Sequence, residues 1–193
     1  MTITFRYLHD AQECWRQEEK EPCLVCRQSH TGYWFIVMHE NGYDEYHVCE
    51  PCLVSGRLSE RGLRVNNADI DALREQLRAK HPELPEKERE FLLNERTSEV
   101  EQRTPCPKIR NTFTWPAHCG DYAVFFRQVD ADDLNSLAPS GDGKAFLASH
   151  LHSDCGAGGV LEQAWEDKLE GFLRFYLWQC PQCTEYLLTC DSD

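Results

Sequence analysis

Two Cys-x-x-Cys pairs, Cys23/Cys26 and Cys49/Cys52, constrain this chain more than any other feature. Each is a turn that brings two sulfurs to one side of a single point, and two such turns complete a tetrahedron. The 22 residues between Cys26 and Cys49 suffice for one hairpin. Tyr33 to His39 is rich in aromatic and β-branched residues and predicts a strand. Asn41-Gly42 is a hairpin turn signal, and Tyr43 to Val48 predicts the returning strand. The order is therefore knuckle, hairpin, knuckle, then a short helix over Glu50 to Leu58. Four thiolates close the coordination sphere of zinc and leave no position for substrate or activated water, so one structural Zn2+ is expected. His47, two residues before Cys49, is held in reserve as a ligand, against the plainer reading of a strand histidine.

Charge and redox setting narrow the function classes. A formal net charge of −13, with only 20 Lys and Arg in 193 residues, argues against a nucleic-acid binder, which needs clustered cations for phosphate. It suits solubility or a basic partner. The sequence begins without an apolar signal core and shows no run long enough to span a membrane. The expected setting is thus a reducing cytoplasm, where paired cysteines read as metal ligands more readily than as disulfides. Eleven cysteines leave more than one site to consider.

The remaining chain reads as α+β: a zinc-knuckle or ribbon hairpin packed onto a body of helices and antiparallel strands. Residues 1–66 form the ribbon-like part and 67–193 the body, as one compact unit. Phe5 to Glu21 is polar and reads as irregular or a short helix. Asn67 reads as the N-cap of a helix with Ile70, Leu73 and Leu77 on one face, ended by Pro82; Pro85 opens a charged, exposed helix. Arg103-Thr-Pro-Cys-Pro breaks regular structure. Asp130 to Leu137 suits a short helix, and Leu161, Ala164, Trp165 and Leu169 lie on one face of another. Phe172 to Cys180 and Tyr186 to Cys190 predict two strands joined by a third knuckle, Cys180-Pro-Gln-Cys183. Phe125, Phe126, Trp165 and Trp178 read as core. Trp115, ahead of Pro116, reads as an exposed anchor for a partner.

Cys180/Cys183 needs two further ligands to hold a second metal. Cys119 with His118 is one source, and Cys155 with His150 or His152 is another. The plain alternative is a metal-free knuckle with buried thiols. His118-Cys119-Gly120-Asp121 also admits a metallo- or cysteine-dependent enzyme, but adjacent side chains rarely face each other, and Asp121 would raise a nearby thiol pKa. No phosphate-binding loop, His-Glu-x-x-His helix or serine elbow is present, so no catalytic residue is assigned.

Phe5 and Tyr7, Cys23-Leu-Val-Cys26, Cys49-Glu-Pro-Cys52, Arg103-Thr-Pro105, the block Trp115 to Phe125 and the closing Cys180-Pro-Gln-Cys183 follow one another in an order that resembles the CbrC family of bacterial proteins. Against that pattern, Tyr122-Ala123 stands where a further Cys is common, and Thr184 where Gly follows the last knuckle. The resemblance implies a zinc-knuckle protein without established enzymatic activity and tolerance to a nuclease-type colicin. The leading expectation is a binding protein whose partner is a basic toxin, such as a nuclease domain, docked by electrostatic complementarity. An enzyme built on the His118 segment and a zinc-ribbon nucleic-acid binder follow in that order.

Overall fold

The computed structural model describes residues 4–39, 42–109, 113–152, 159–169 and 171–192. Its N-terminal third is organised by strand alternation. A 3-10 turn at Ala11–Glu13, capped by the Asp10 carboxylate, leads into β1 (Arg16–Pro22), β2 (Ser29–His39) and β3 (Gly42–Cys49). They form one antiparallel sheet in the order β1-β2-β3. β1 corrects the sequence reading of this stretch as irregular or helical. Its residues Arg16-Gln-Glu-Glu-Lys-Glu-Pro22 carry no β pattern, and pairing with the apolar β2 imposes the strand, with a bulge between Gln17 and Glu21. The β2–β3 ladder runs from Gly32↔Cys49 to His39↔Gly42; Asn41 of the expected turn lies outside the described residues.

α1 (Glu50–Val54) follows directly, then a 3-10 turn at Arg57–Arg61. β4 (Asn67–Ala68) is a two-residue strand, so Asn67 is not the cap assigned to it. Asp69 caps α2 (Ile70–Lys80), its carboxylate accepting the Ala72 N–H at 3.0 Å. Leu73 and Leu77 face the core as their spacing requires. α3 (Glu86–Ser98) starts after Pro85, which occupies the cap, and continues into a π-helical turn at Glu99–Arg103.

β5 (Thr114–Trp115) pairs with β4 in parallel, and β6 (Ala117–His118) turns back on β7 (Asp121–Tyr122). β8 (Val124–Val129) is separated from its partner strand by α4 (Ala131–Leu137), α5 (Gly143–His150) and α6 (Gly159–Glu166). β9 (Leu173–Gln179) and β10 (Tyr186–Ser192) complete an antiparallel sheet in the order β10-β9-β8. α4 has the capping box Asp130/Asp133. α5 was not legible as a helix because its sequence opens among glycines. Asp142 caps it, and Phe146 and Leu147 are buried. The α+β expectation thus holds, and no helix among the described residues is long and apolar enough to cross a membrane.

Two apolar clusters hold these parts. The larger runs from Phe5 and Tyr7 through Tyr33, Phe35, Leu53 and Leu77 to Trp115, Phe125 and Trp178. The smaller lies between the β8–β10 sheet and α4–α6, with Leu134, Leu147, Leu169 and Phe175. Trp115 is no exposed anchor: it is 0% exposed, its indole N–H donates to the Ala123 carbonyl at 2.8 Å, and its ring stands edge-on to Trp178 at 5.1 Å. A tryptophan before proline in a short strand can reach the core as readily as a loop tryptophan can face solvent, and the sequence does not separate the two.

β2 can pass under β3 so closely only because position 32 has no side chain. A Cβ there would lie 2.1 Å from the Val48 carbonyl oxygen and 2.7 Å from His47 Nε2. Gly32→Ala is expected to lower unfolding free energy by about 1–3 kcal/mol through overpacking, read as a lower urea midpoint at unchanged m-value. An unchanged midpoint would contradict this packing.

Candidate metal centres

The first centre is built by the end of the β1–β3 sheet. Cys23 and Cys26 sit in the connection from β1 to β2; Cys49 ends β3 and caps α1, which carries Cys52. The knuckle closes through Cys23 N–H to the Gln28 carbonyl (3.0 Å) and Arg27 N–H to the Cys23 carbonyl (2.9 Å), with Arg27 in the left-handed region at φ 64°. The amides of Val25 and Cys49 both donate to Cys23 Sγ at 3.4 Å. The four sulfurs lie within 4.8 Å of one another, and Cys26 and Cys49 are 3.7 Å apart. A tetrahedron with Zn–S bonds of about 2.3 Å has edges of about 3.8 Å, so this donor set fits a thiophilic metal.

Electrostatics agree with that fit. Burial pushes the Cys23 thiol up, but the amides aimed at its sulfur outweigh it and bring the group down to about 7. Burial among neighbouring sulfurs raises Cys49 and Cys52 instead. Without a cation the cluster therefore holds protons that a metal would displace. Arg57 donates to Cys52 Sγ at 3.7 Å and offsets part of the negative charge of a fully ionised set. His47 is not part of this donor group. It is buried, with its ring edge-on to Trp34 at 5.7 Å.

The second centre repeats the knuckle at the end of the β8–β10 sheet. Cys180 N–H donates to the Glu185 carbonyl (2.8 Å), Thr184 N–H to the Cys180 carbonyl (3.0 Å), and Gln182 N–H to Cys180 Sγ (3.3 Å). Thr184 has φ 63°, matching Arg27. A position in that region favours glycine, yet threonine adopts it here and the turn still forms. The other two donors come from the β6–β7 hairpin, whose loop residues Cys119 and Gly120 both have positive φ (54° and 76°), as a two-residue hairpin turn demands. His118, Cys119, Cys180 and Cys183 have donor atoms within 4.8 Å of one another, and His118 Nδ1 lies 3.5 Å from Cys183 Sγ. This centre is more open: Cys183 is exposed, and His118 and Cys119 are half-buried.

Of the two ligand sources considered for Cys180/Cys183, the structure brings together the His118/Cys119 one. His150 ends α5, stacked on Phe146 at 4.0 Å with Nδ1 2.8 Å from the Phe146 carbonyl. His152 lies outside the two donor groups, and Cys155 lies outside the described residues. None of the described cysteines is in a disulfide.

The residues that hold the second hairpin in place were missed in sequence. Gln76 of α2 accepts the Gly120 N–H at 3.0 Å and donates to the Ala117 carbonyl at 2.9 Å; Lys80 donates to the Cys119 carbonyl at 2.8 Å. Arg96 of α3 donates to the Gly120 carbonyl. Asp121, 2% exposed, accepts from Tyr7 Oη at 2.7 Å and from Arg6 at 3.1 Å, and Arg96 Nε stands 3.8 Å away. In the sequence Tyr7 stands out only as part of a motif order; nothing in its spacing shows that it reaches across to Asp121.

Residues 3–192 match the model of an uncharacterised protein family, UPF0167. The chain belongs to that family. No curated protein and no solved structure matches it. The UPF0167 match spans both candidate metal centres and both three-stranded sheets, while its description gives no activity and does not mention colicin tolerance.

In the metal-free protein at pH 7, Cys183 is the thiol expected to react first with iodoacetamide: it is exposed, and although burial raises its thiol, the Glu185 amide and the neighbouring sulfurs together outweigh that and draw its pKa down. Cys106, pushed up to about 12 by burial, and Cys14, raised for the same reason, should react last. Peptide mass mapping with and without added zinc checks this. Equal labelling of Cys183 in both states would contradict its place in the centre.

Proposed function

We propose that this chain is a non-catalytic zinc protein, stapled by two structural Zn2+ ions, that acts in a reducing cytoplasm by binding a basic protein. The observation that supports it most is the convergence of two four-donor sets, Cys23/Cys26/Cys49/Cys52 and His118/Cys119/Cys180/Cys183, each within 4.8 Å. Closed tetrahedral sites stabilise a fold and leave no ligand position for chemistry. The partner that fits the motif resemblance and the net charge of −13 is a nuclease-type toxin, whose cationic nucleic-acid surface an acidic protein can cover, giving tolerance or immunity.

The enzyme reading of the His118 segment loses its parts one by one. Asp121 is engaged by Tyr7 and Arg6, so it does not orient a base. Burial and the neighbouring sulfurs push the Cys119 thiol up to about 11, away from a reactive thiolate. His118 faces Cys183 through Nδ1, with Nε2 3.8 Å from Glu185.

Metal analysis by mass spectrometry should give two zinc ions per chain, falling to one in Cys183→Ser with the circular dichroism spectrum retained. Zinc at the first centre should be released progressively as pH falls, since all four thiols must be deprotonated to bind it and protons displace the metal at low pH. A metal-free, folded wild-type protein would overturn the zinc reading. Co-purification with a catalytically inactive, basic nuclease toxin domain, reversed by high salt, is the expected result for the partner. Failure to retain any such domain would remove the toxin reading and leave the zinc reading standing.

A further inference from the structure

The β1–β3 sheet keeps one face in the core and turns the other to solvent. On β2, Tyr33 and Phe35 are buried, whereas Trp34 is half-buried and Ile36 is 49% exposed. Register carries the solvent face onto both neighbouring strands: Trp34 lies opposite His47, Ile36 opposite Glu45, and His30 opposite Glu21 of β1. Trp15, 44% exposed, accepts the Trp34 N–H at 2.8 Å and so continues the register beyond Arg16↔Tyr33. Trp34 rests on His47, which is only 4% exposed and fills the space above Gly32. The indole is thereby held from below instead of swinging freely.

The result is an apolar strip, Trp15, Trp34 and Ile36, with a carboxylate on each outer strand, Glu21 on β1 and Glu45 on β3. At the paired positions of this face there is no Lys or Arg. Exposed aromatic side chains flanked by carboxylates recognise a cation twice, through the ring face and through the opposite charge. Tryptophan is also the residue type that most often dominates a protein interface. With a net charge of −13 on the chain, phosphate backbones are repelled and a basic polypeptide is attracted.

We propose that this sheet face is the docking surface for a Lys/Arg-bearing segment of a basic protein partner, its cations placed over Trp15 and Trp34 and against Glu21 and Glu45. The inference rests on the basic-protein-binding reading above and assigns it a surface.

The test uses the full-length, zinc-loaded protein and a fluorescein-labelled peptide of alternating arginine and valine, followed by anisotropy at physiological salt. Saturable binding is expected, weakened about tenfold by Trp15→Ala and by Glu45→Lys, each a loss of one contact class. Glu88→Lys, on the exposed side of α3, should change it less than about twofold and serves as the control for general charge. Retained zinc content and circular dichroism show that each variant is folded. No saturable binding overturns the proposal, as does Glu88→Lys matching Glu45→Lys, or Trp15→Ala binding like the wild type. A toxin domain still captured by Trp15→Ala and Glu45→Lys would sink this surface while leaving the broader reading intact.

Discussion

Four sulfurs in one cluster, and three beside a histidine in the other, lie with their donor atoms within 4.8 Å and cannot all be ionised without a cation among them, because like charges at such distances repel strongly in a partly buried site. That constraint governs both ends of this molecule. The chain has to bring distant segments together before the metal rewards it, and the cross-links close loops of different size. Cys26 and Cys49 are separated by 22 residues and Cys119 and Cys180 by 60. On the chain-entropy model for covalent cross-links, closures of that length restrict the unfolded chain by about 3 and about 4 kcal/mol. A metal at the second centre would thus be the larger lever on stability, although that centre is the more exposed of the two.

The centres share one plan run in opposite chain directions. In the first, the knuckle links β1 to the central strand β2, and the remaining ligands begin where β3, the other neighbour of β2, ends at Cys49. In the second, the knuckle links the central strand β9 to β10, and the remaining ligands stand just before β8 begins. Either way, the donor cluster sits at the knuckle end of a three-stranded antiparallel sheet, where antiparallel strands bring a start and an end together. β8 and β9 enclose α4, α5 and α6 in sequence, so a metal held at Cys119 and Cys180 would also close the segment that holds the second apolar cluster.

Legibility in the sequence followed the range of the interaction. The hairpin of β2 and β3, the short α1, the capped α4 and the β9–β10 pair all rest on local signals: turn residues, alternation and caps. Cys23/Cys26 and Cys49/Cys52 were readable because hairpin spacing alone brings them together. β1 was not, since a run of charged residues becomes a strand only by pairing with β2. Trp115 went the same way, its burial decided by Trp178 far along the chain. Between Cys119 and Cys155 as partners for the last knuckle, spacing gave no preference; the β8–β9 pairing, which sets Val124 opposite Gln179, is what brings Cys119 near.

Asp121 shows why the same short segment could suggest an enzyme in sequence and a scaffold in three dimensions. Next to His118 and Cys119, a carboxylate reads as the third member of a catalytic set. Buried, it must be compensated, and Tyr7, Arg6 and Arg96 converge on it from the N-terminal segment and from α3. Removing one of these partners leaves the buried carboxylate less fully compensated, which destabilises the fold. The carboxylate that a nucleophile would need to orient its base is therefore committed to joining three parts of the chain beside the hairpin that presents His118 and Cys119. Its chemistry is spent on position, which is what a closed metal centre requires of its surroundings.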